Sequence, residues 1–99
     1  MRLVNEQEFL QHIELDRITL NAWVAEAWLA PNQSSGEPDY NEMDLARARL
    51  ILELQKDMSV NDPGVGVILH LLDQLHGLRR AMKDLLESGL IEGNSRIEI

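Results

Sequence analysis

Three histidines and one nearby carboxylate are the residues in this sequence whose types could support catalysis or metal binding. His70 and Asp73 lie three positions apart, whereas His12 and His76 stand elsewhere in the chain. A metal site or an acid–base centre needs several groups converging on one point, and this spacing places no third ligand. No serine or lysine is paired with a base. The sequence therefore predicts no enzyme, no metal site and no cofactor, and the histidines are expected to face solvent on a helix.

Acidic charge is the clearest chemical signal. The formal net charge is −8 over 99 residues. Between Met1 and Asp44, nine acids stand against only Arg2 and Arg17. Such a field repels nucleic acid and anionic lipid at long range and favours basic protein partners. DNA is therefore not an expected partner.

Composition limits the size and the setting of the fold. A chain of 99 residues with 44% hydrophobic content allows one domain with a modest core, a size at which oligomerisation often supplies further burial. The absence of cysteine fits a reducing cytoplasm. The N-terminus carries acids before any apolar run reaches signal-peptide length, and other apolar runs are too short to span a membrane. We expect a cytoplasmic protein without a targeting segment.

The stretch from Asp57 to Gly89 predicts one long capped helix around which the other elements are arranged. Asn61 is the expected N-cap, Pro63 is tolerated in a first turn that needs no amide hydrogen, and Gly89 supplies a left-handed stop. A helix of about 27 residues spans on the order of 40 Å, longer than the globule that the preceding residues can build. We infer that a second copy of the chain covers its far end.

Two apolar stripes run along this helix. One stripe repeats at alternating spacings of four and three, as a coiled-coil seam does, and predicts homodimerisation through Leu71, Leu75, Leu78, Met82 and Leu85. The second stripe is offset from the first and is confined to the N-terminal half of the helix: Val65, Ile68, Leu69 and Leu72. The N-terminal half therefore needs cover on two sides, and the C-terminal half needs one partner.

Two short helices are predicted before the first proline. Arg2 to Val4 could form a strand, Asn5 with Glu8 predicts a capped helix through His12, and Asp16 is a good N-cap for the next helix. Helical spacing gives the second helix one apolar face, formed by Leu20, Trp23, Val24 and Ala27. The pair is either a helix-turn-helix or an ordinary core-building unit.

A loop and a third helix follow. Pro31 to Asp39 is rich in turn residues and predicts a loop, hairpin or wing. Asn41 with Asp44 predicts the cap of an amphipathic helix. Its apolar residues fall into two groups, Leu45, Ala48 and Leu52 on one side and Met43, Leu50, Leu54 and Met58 near another. After Gly89 the sequence fits either a small hairpin or a frayed tail.

The segment from Tyr40 to Leu75, Y-N-E-M-D-L-A-R-A-R-L-I-L-E-L-Q-K-D-M-S-V-N-D-P-G-V-G-V-I-L-H-L-L-D-Q-L, resembles the MerR-like chaperone modulators called CbpM. The most specific part is V-N-D-P-G-V, from Val60 to Val65, and the similarity covers roughly residues 5 to 86. The resemblance implies a mostly α fold, with a winged helix-turn-helix over 1–58, a long dimerisation helix over 59–89 and a tail over 90–99. Family members often carry glycine in the tight turn and near the end of the second helix, where this chain has Glu14 and the stretch Ala25 to Trp28.

The resemblance also implies a function. CbpM-like proteins bind the J-domain of the co-chaperone CbpA and block its cooperation with a DnaK-type chaperone, and J-domains are expected to present a basic second helix. By resemblance, this chain is a non-catalytic regulator of a CbpA-type co-chaperone. The alternative from the same fold is a MerR-like DNA-binding transcriptional regulator.

Residue types separate these two functions. A DNA-reading helix needs arginine or lysine for phosphates and arginine, asparagine or glutamine for base edges. The segment Arg17 to Ala30 offers one arginine, Asn21 and the opposing Glu26. We therefore expect a protein partner. The candidate contact residues are acids that steer encounter and one aromatic anchor: Glu26, Trp28, Asp39, Glu42 and Asp44. Apolar spacing also makes Trp23, Trp28 and Tyr40 core candidates.

Overall fold

The computed structural model describes residues 2–34 and 36–89 of the chain. Within these residues it contains four α-helices, one π-helical turn and a two-stranded sheet, which confirms the mostly helical fold. The elements in order are β1 (Val4–Asn5), α1 (Glu6–Ile13), α2 (Arg17–Ala25), β2 (Asp39–Tyr40), α3 (Glu42–Leu52), the π-helical turn (Glu53–Asp57) and α4 (Asp62–Glu87). The chain divides into two compact units, residues 1–66 and 67–99.

Side-chain caps set the starts of the first three helices, as the sequence predicts. Asn5 Oδ1 accepts from the amide of Glu8 at 2.9 Å, and Asp16 Oδ1 accepts from the amide of Thr19 at 2.6 Å. Asn41 and Asp44 form a reciprocal capping box, with both hydrogen bonds at 2.9 Å. Each cap satisfies amides that have no partner within the helix.

Two residues other than glycine take left-handed backbone conformations around α2. Glu14, in the turn between α1 and α2, has φ 51°, and Ala27, just after α2, has φ 60°. The amides of Ala27 and Trp28 donate to the carbonyls of Val24 and Trp23 at 3.0 and 2.9 Å, the pattern of a Schellman motif. Members of the CbpM family often have glycine in the turn between α1 and α2, where Glu14 lies, and near the end of the second helix, where Ala27 lies.

The predicted wing is small. β1 pairs antiparallel with β2, with Val4 opposite Tyr40, and the loop between α2 and β2 contributes one further bridge, between Asn32 and Asp39. The strand that was predicted over Arg2 to Val4 lies instead at Val4–Asn5. Of the three residues predicted, only Val4 has a partner on β2, and Asn5 extends the pairing opposite Asp39.

Aromatic residues of α1, α2, the turn after α2 and β2 make up much of the core. The rings of Phe9 and Tyr40 stack with centroids 4.2 Å apart, and those of Trp23 and Trp28 lie 6.3 Å apart at a tilt of 43°. The buried apolar residues of the first unit are Phe9, Ile13, Leu20, Trp23, Trp28, Leu29, Tyr40, Ala48, Ile51, Leu54 and Val65. In the second unit Leu69 is buried.

The inner face of α3 differs from the predicted one. Ala48, Ile51 and Leu54 are buried, whereas Met43 and Met58 are exposed. The helix continues into the π-helical turn, where the amide of Met58 donates to the carbonyl of Glu53 at 3.1 Å. A turn of this kind adds one residue to the helical repeat, which helical spacing alone does not predict.

The long helix begins directly after the predicted N-cap, Asn61, three residues beyond the predicted domain boundary at residue 59. Ser59 has φ 55°, and Asn61 Oδ1 accepts from the amide of Gly64 at 2.8 Å, so α4 starts at Asp62. A Cβ at Gly64 would lie 2.7 Å from Val60 Cγ1, which explains the glycine in this turn. Gly89 has φ 78° and ends the helix as predicted. The predicted hairpin or tail over 90–99 lies outside the described residues.

We predict that Ala27→Gly stabilises the fold. A left-handed conformation costs an L-residue roughly 1–2 kcal/mol, and glycine avoids this cost but loses more chain entropy on folding. Ala27 is exposed, so the change removes no core contact. The free energy of unfolding should rise by about 0.5–1 kcal/mol in urea titrations.

The matched control is Ala46→Gly, at an exposed position inside α3. This change should lower the free energy of unfolding by about 0.8–1 kcal/mol, because glycine is a poor helix former. Equal destabilisation by both variants would contradict the left-handed assignment at Ala27.

Candidate protein-binding surface

The five candidate contact residues occupy different environments. Glu26 is exposed at the C-terminal end of α2, and Glu42 is exposed as the first residue of α3. Asp39 is half-buried and pairs through its backbone with Asn5 and Asn32. Both exposed acids are available to a partner in solution.

Asp44 and Trp28 serve the fold. The Asp44 carboxylate accepts a hydrogen bond from the backbone amide of Asn41 in the capping box of α3. Trp28 is only 7% exposed, its ring lies beside Trp23, and its carbonyl accepts a hydrogen bond from Arg47 Nε. Trp28 therefore offers almost no surface, and the aromatic anchor expected from the sequence lies in the core.

Charges near the start of α2 are predominantly negative. Hydrogen bonds from the backbone and side chain of Thr19 lower the pKa of Asp16, which keeps this exposed carboxyl ionised at neutral pH. Glu14 is exposed in the preceding turn. Arg17, the basic residue of α2, pairs with Glu6 at an N···O distance of 3.7 Å. The first turn of α2 therefore presents little uncompensated positive charge.

A shallow cavity lies beside the aromatic stack. It measures about 200 Å³ and is lined by Phe9, Tyr40, His12, Arg2 and Glu42, among others. Burial raises the pKa of the Tyr40 phenol, and the negative charges of Glu6 and Asp44 raise it further, so Tyr40 is neutral at physiological pH. Pockets for cofactors commonly measure about 300–1,000 Å³. The cavity is smaller than that.

The histidines lie on exposed parts of the helices. His12, His70 and His76 are all exposed, and the Nε2 atoms of His70 and Gln74 are 3.2 Å apart. Within 2–34 and 36–89 no cluster of three or more histidine or carboxylate side chains could hold a metal ion. Over the same residues, no helix is both long enough and apolar enough to cross a membrane.

The predicted dimerisation stripe of α4 retains large apolar exposure. Leu71, Leu78 and Leu85 are 57%, 52% and 38% exposed, while Leu75 and Met82 are half-buried. These residues share one face of α4 and leave an apolar stripe on its surface.

One exposed residue was missed by reasoning from the sequence. Ile18, in the first turn of α2, is 84% exposed, more than any other large apolar residue within the described part of the chain. The signal was present in the helical spacing, since Ile18 lies off the face formed by Leu20 and Trp23. Its neighbours on the exposed face of α2 are Asn21, Ala22 and Ala25.

Comparison with known proteins identifies the family. The family model described as MerR HTH family regulatory protein matches residues 4–92, which is most of the chain. No curated protein and no solved structure matches the sequence significantly. The small sheet, the paired helices α1 and α2 and the mostly helical chain agree with the family match. The chain belongs to the MerR HTH family of regulatory proteins.

Proposed function

We propose that this chain is a non-catalytic regulator that binds the J-domain of a CbpA-type co-chaperone and inhibits its cooperation with a DnaK-type chaperone. Membership of a regulatory family and the V-N-D-P-G-V resemblance from Val60 to Val65 support this function. The observation that carries the proposal is the charge of the helix-turn-helix region, which suits a basic protein better than a nucleic acid.

Two basic groups make contacts within the first unit. Arg17 is paired with Glu6, and Arg47 donates to the carbonyl of Trp28. Between Met1 and Asp44, nine acids stand against two arginines. DNA affinity depends on lysine and arginine contacts that release counterions from phosphates, so this region lacks the main source of such affinity. The same negative field would attract a basic J-domain helix.

We also propose that the functional form is a homodimer, joined through Leu71, Leu75, Leu78, Met82 and Leu85. The apolar exposure of α4 supports this proposal, because a lone helix gains little from leucines that remain in water. Two copies would bury the same stripe against each other.

The dimer predicts that Leu78→Glu yields a monomer. A glutamate at this position would place two charges in the seam, and burying an unpaired charge is costly. His76→Glu is the control, since it adds the same negative charge on another face of α4. Sedimentation velocity should report a monomer for Leu78→Glu and a dimer for both the wild type and the control. A dimeric Leu78→Glu variant would contradict the seam.

The charge argument predicts negligible DNA binding. At physiological salt, the affinity for duplex DNA should be weaker than about 10⁻⁴ M, the weak end of ordinary non-specific binding. Fluorescence anisotropy with a labelled random duplex, repeated at several salt concentrations, measures it. A footprint on a defined operator at sub-micromolar protein would favour the transcriptional alternative.

Electrostatic steering predicts a slower on-rate when exposed acids are reversed. Glu26→Lys with Glu42→Lys should cut the association rate for the isolated J-domain by about an order of magnitude and change dissociation less. These acids are chosen over Asp44 because reversing Asp44 would also remove the capping box. The rate of the wild type should fall as salt rises, because screening over about 8–10 Å acts mostly on encounter.

The control carries the same change of charge elsewhere. Asp84→Lys with Glu87→Lys lies near the end of α4 and should leave the association rate within about twofold of the wild type. Surface plasmon resonance measures both rates. No binding by the wild type would remove the proposed function. Wild-type kinetics in the Glu26, Glu42 variant would remove these acids from the steering surface and leave the function intact.

A further inference from the structure

The exposed face of α2 is apolar at its centre. Ile18, Ala22 and Ala25 recur at intervals of four and three, so they share one face of the helix. All three are exposed, and Ile18 is 84% exposed. The opposite face carries the buried Leu20 and Trp23. The core therefore does not need this strip, which we call the α2 strip and define as Ile18, Ala22 and Ala25.

The shape of the α2 strip suits a second helix. Two alanines leave the surface low, so the backbone of another helix can approach closely, and Ile18 stands out as the one large side chain. Asn21 lies beside the strip and is exposed. Nine residues of α2 span about 13 Å, enough for two turns of a partner helix.

Acids stand at both ends of the α2 strip. Glu14 and Asp16 precede the helix, Glu26 follows it, and all three are exposed. The nearby base, Arg17, is paired with Glu6. An apolar centre between acidic ends complements a helix that has an apolar stripe flanked by lysine or arginine.

We propose that the α2 strip is the docking surface for a basic amphipathic helix of the protein partner. The partner's apolar side chains pack on Ile18, Ala22 and Ala25, and its basic side chains reach Glu14, Asp16 and Glu26. This inference rests on the proposed function and identifies the surface of the chain that would contact the J-domain. The helix that reads DNA in other helix-turn-helix proteins reads a protein helix in this chain.

The same charges argue against other occupants. A second copy would bring its own Glu14, Asp16 and Glu26 against those of the first, and like charges in contact are repulsive. A duplex or an anionic membrane would meet the same acids with its phosphates. A basic protein helix is the occupant that gains from both the apolar centre and the acidic ends.

Two substitutions test the α2 strip without altering the core. Ile18→Ser removes the large apolar contact and keeps the charge, and Ala22→Arg places a bulky base in the centre while keeping a good helix former. Their controls make the same kind of change at exposed positions outside α2, with Met58→Ser for the first and Ala46→Arg for the second. Circular dichroism checks that each variant is folded.

The probe is the isolated J-domain of a CbpA-type co-chaperone, measured by isothermal titration calorimetry. Ile18→Ser should weaken binding about tenfold or more, and Ala22→Arg should weaken it further, because a buried apolar anchor carries much of an interface's affinity. Both controls should stay within about twofold of the wild type. Wild-type affinity in both strip variants would overturn the inference and leave the proposed function standing.

A second probe distinguishes failure of the proposed function from failure of the α2 strip as a docking surface. If the wild type does not bind the J-domain, the proposed function fails, and a synthetic leucine–lysine amphipathic helix then tests the α2 strip alone. Binding of this peptide that Ala22→Arg abolishes and Ala46→Arg retains supports the inference. No binding, or equal binding by both variants, overturns it. A change of oligomeric state in Ala22→Arg also overturns it, in favour of a second copy as the occupant.

Discussion

The position of Trp28 is the constraint on which the first unit depends. Its amide closes the Schellman motif at the end of α2, its carbonyl accepts from Arg47 of α3, and its ring lies beside Trp23. At the start of α4, a Cβ on Gly66 would lie 3.7 Å from the indole Nε1, so the backbone passes close to the ring. One residue thus connects α2, α3 and the first turn of α4. This explains why Trp28 is buried and cannot also anchor a partner.

Local signals predicted the helix starts because capping depends on residues close in sequence. Asn5, Asp16 and Asn41 each accept from the amide three positions ahead. The wing could not be predicted in the same way, since the pairing of Val4 with Tyr40 joins residues far apart along the chain. The predicted inner face of α3 left out Ile51, although Ile51 lies three residues after Ala48 and is buried with it. The position of Leu54 is harder to predict, because it lies in the π-helical turn.

The negative charge of the candidate site could be predicted from the sequence, but the side chains exposed to a partner could be predicted only in part. Net charge follows from the sequence alone, and in the structure Glu26 and Glu42 are exposed. A count of acids treats every carboxylate alike, whereas the positions of Asp16 and Asp44 at predicted helix starts identify them as capping residues. Asp16 and Asp44 cap helices. Ile18 was not predicted, because helical spacing identifies the buried face of α2 and assigns no role to an apolar residue on the exposed face.

The distribution of charge along the chain makes the two proposed interfaces compatible. Residues 1–66 contain twelve acids and five bases, whereas residues 67–99 contain five acids and four bases, so nearly all the net charge belongs to the first unit. An isologous dimer brings identical charges together, and these charges repel each other. In the proposed dimer this repulsion is small, because residues 67–99 have almost no net charge. The strongly acidic unit contains α2, and its field is the one that would attract the proposed basic partner. The two proposed interfaces therefore use different residues, and a substitution in one should leave the other intact.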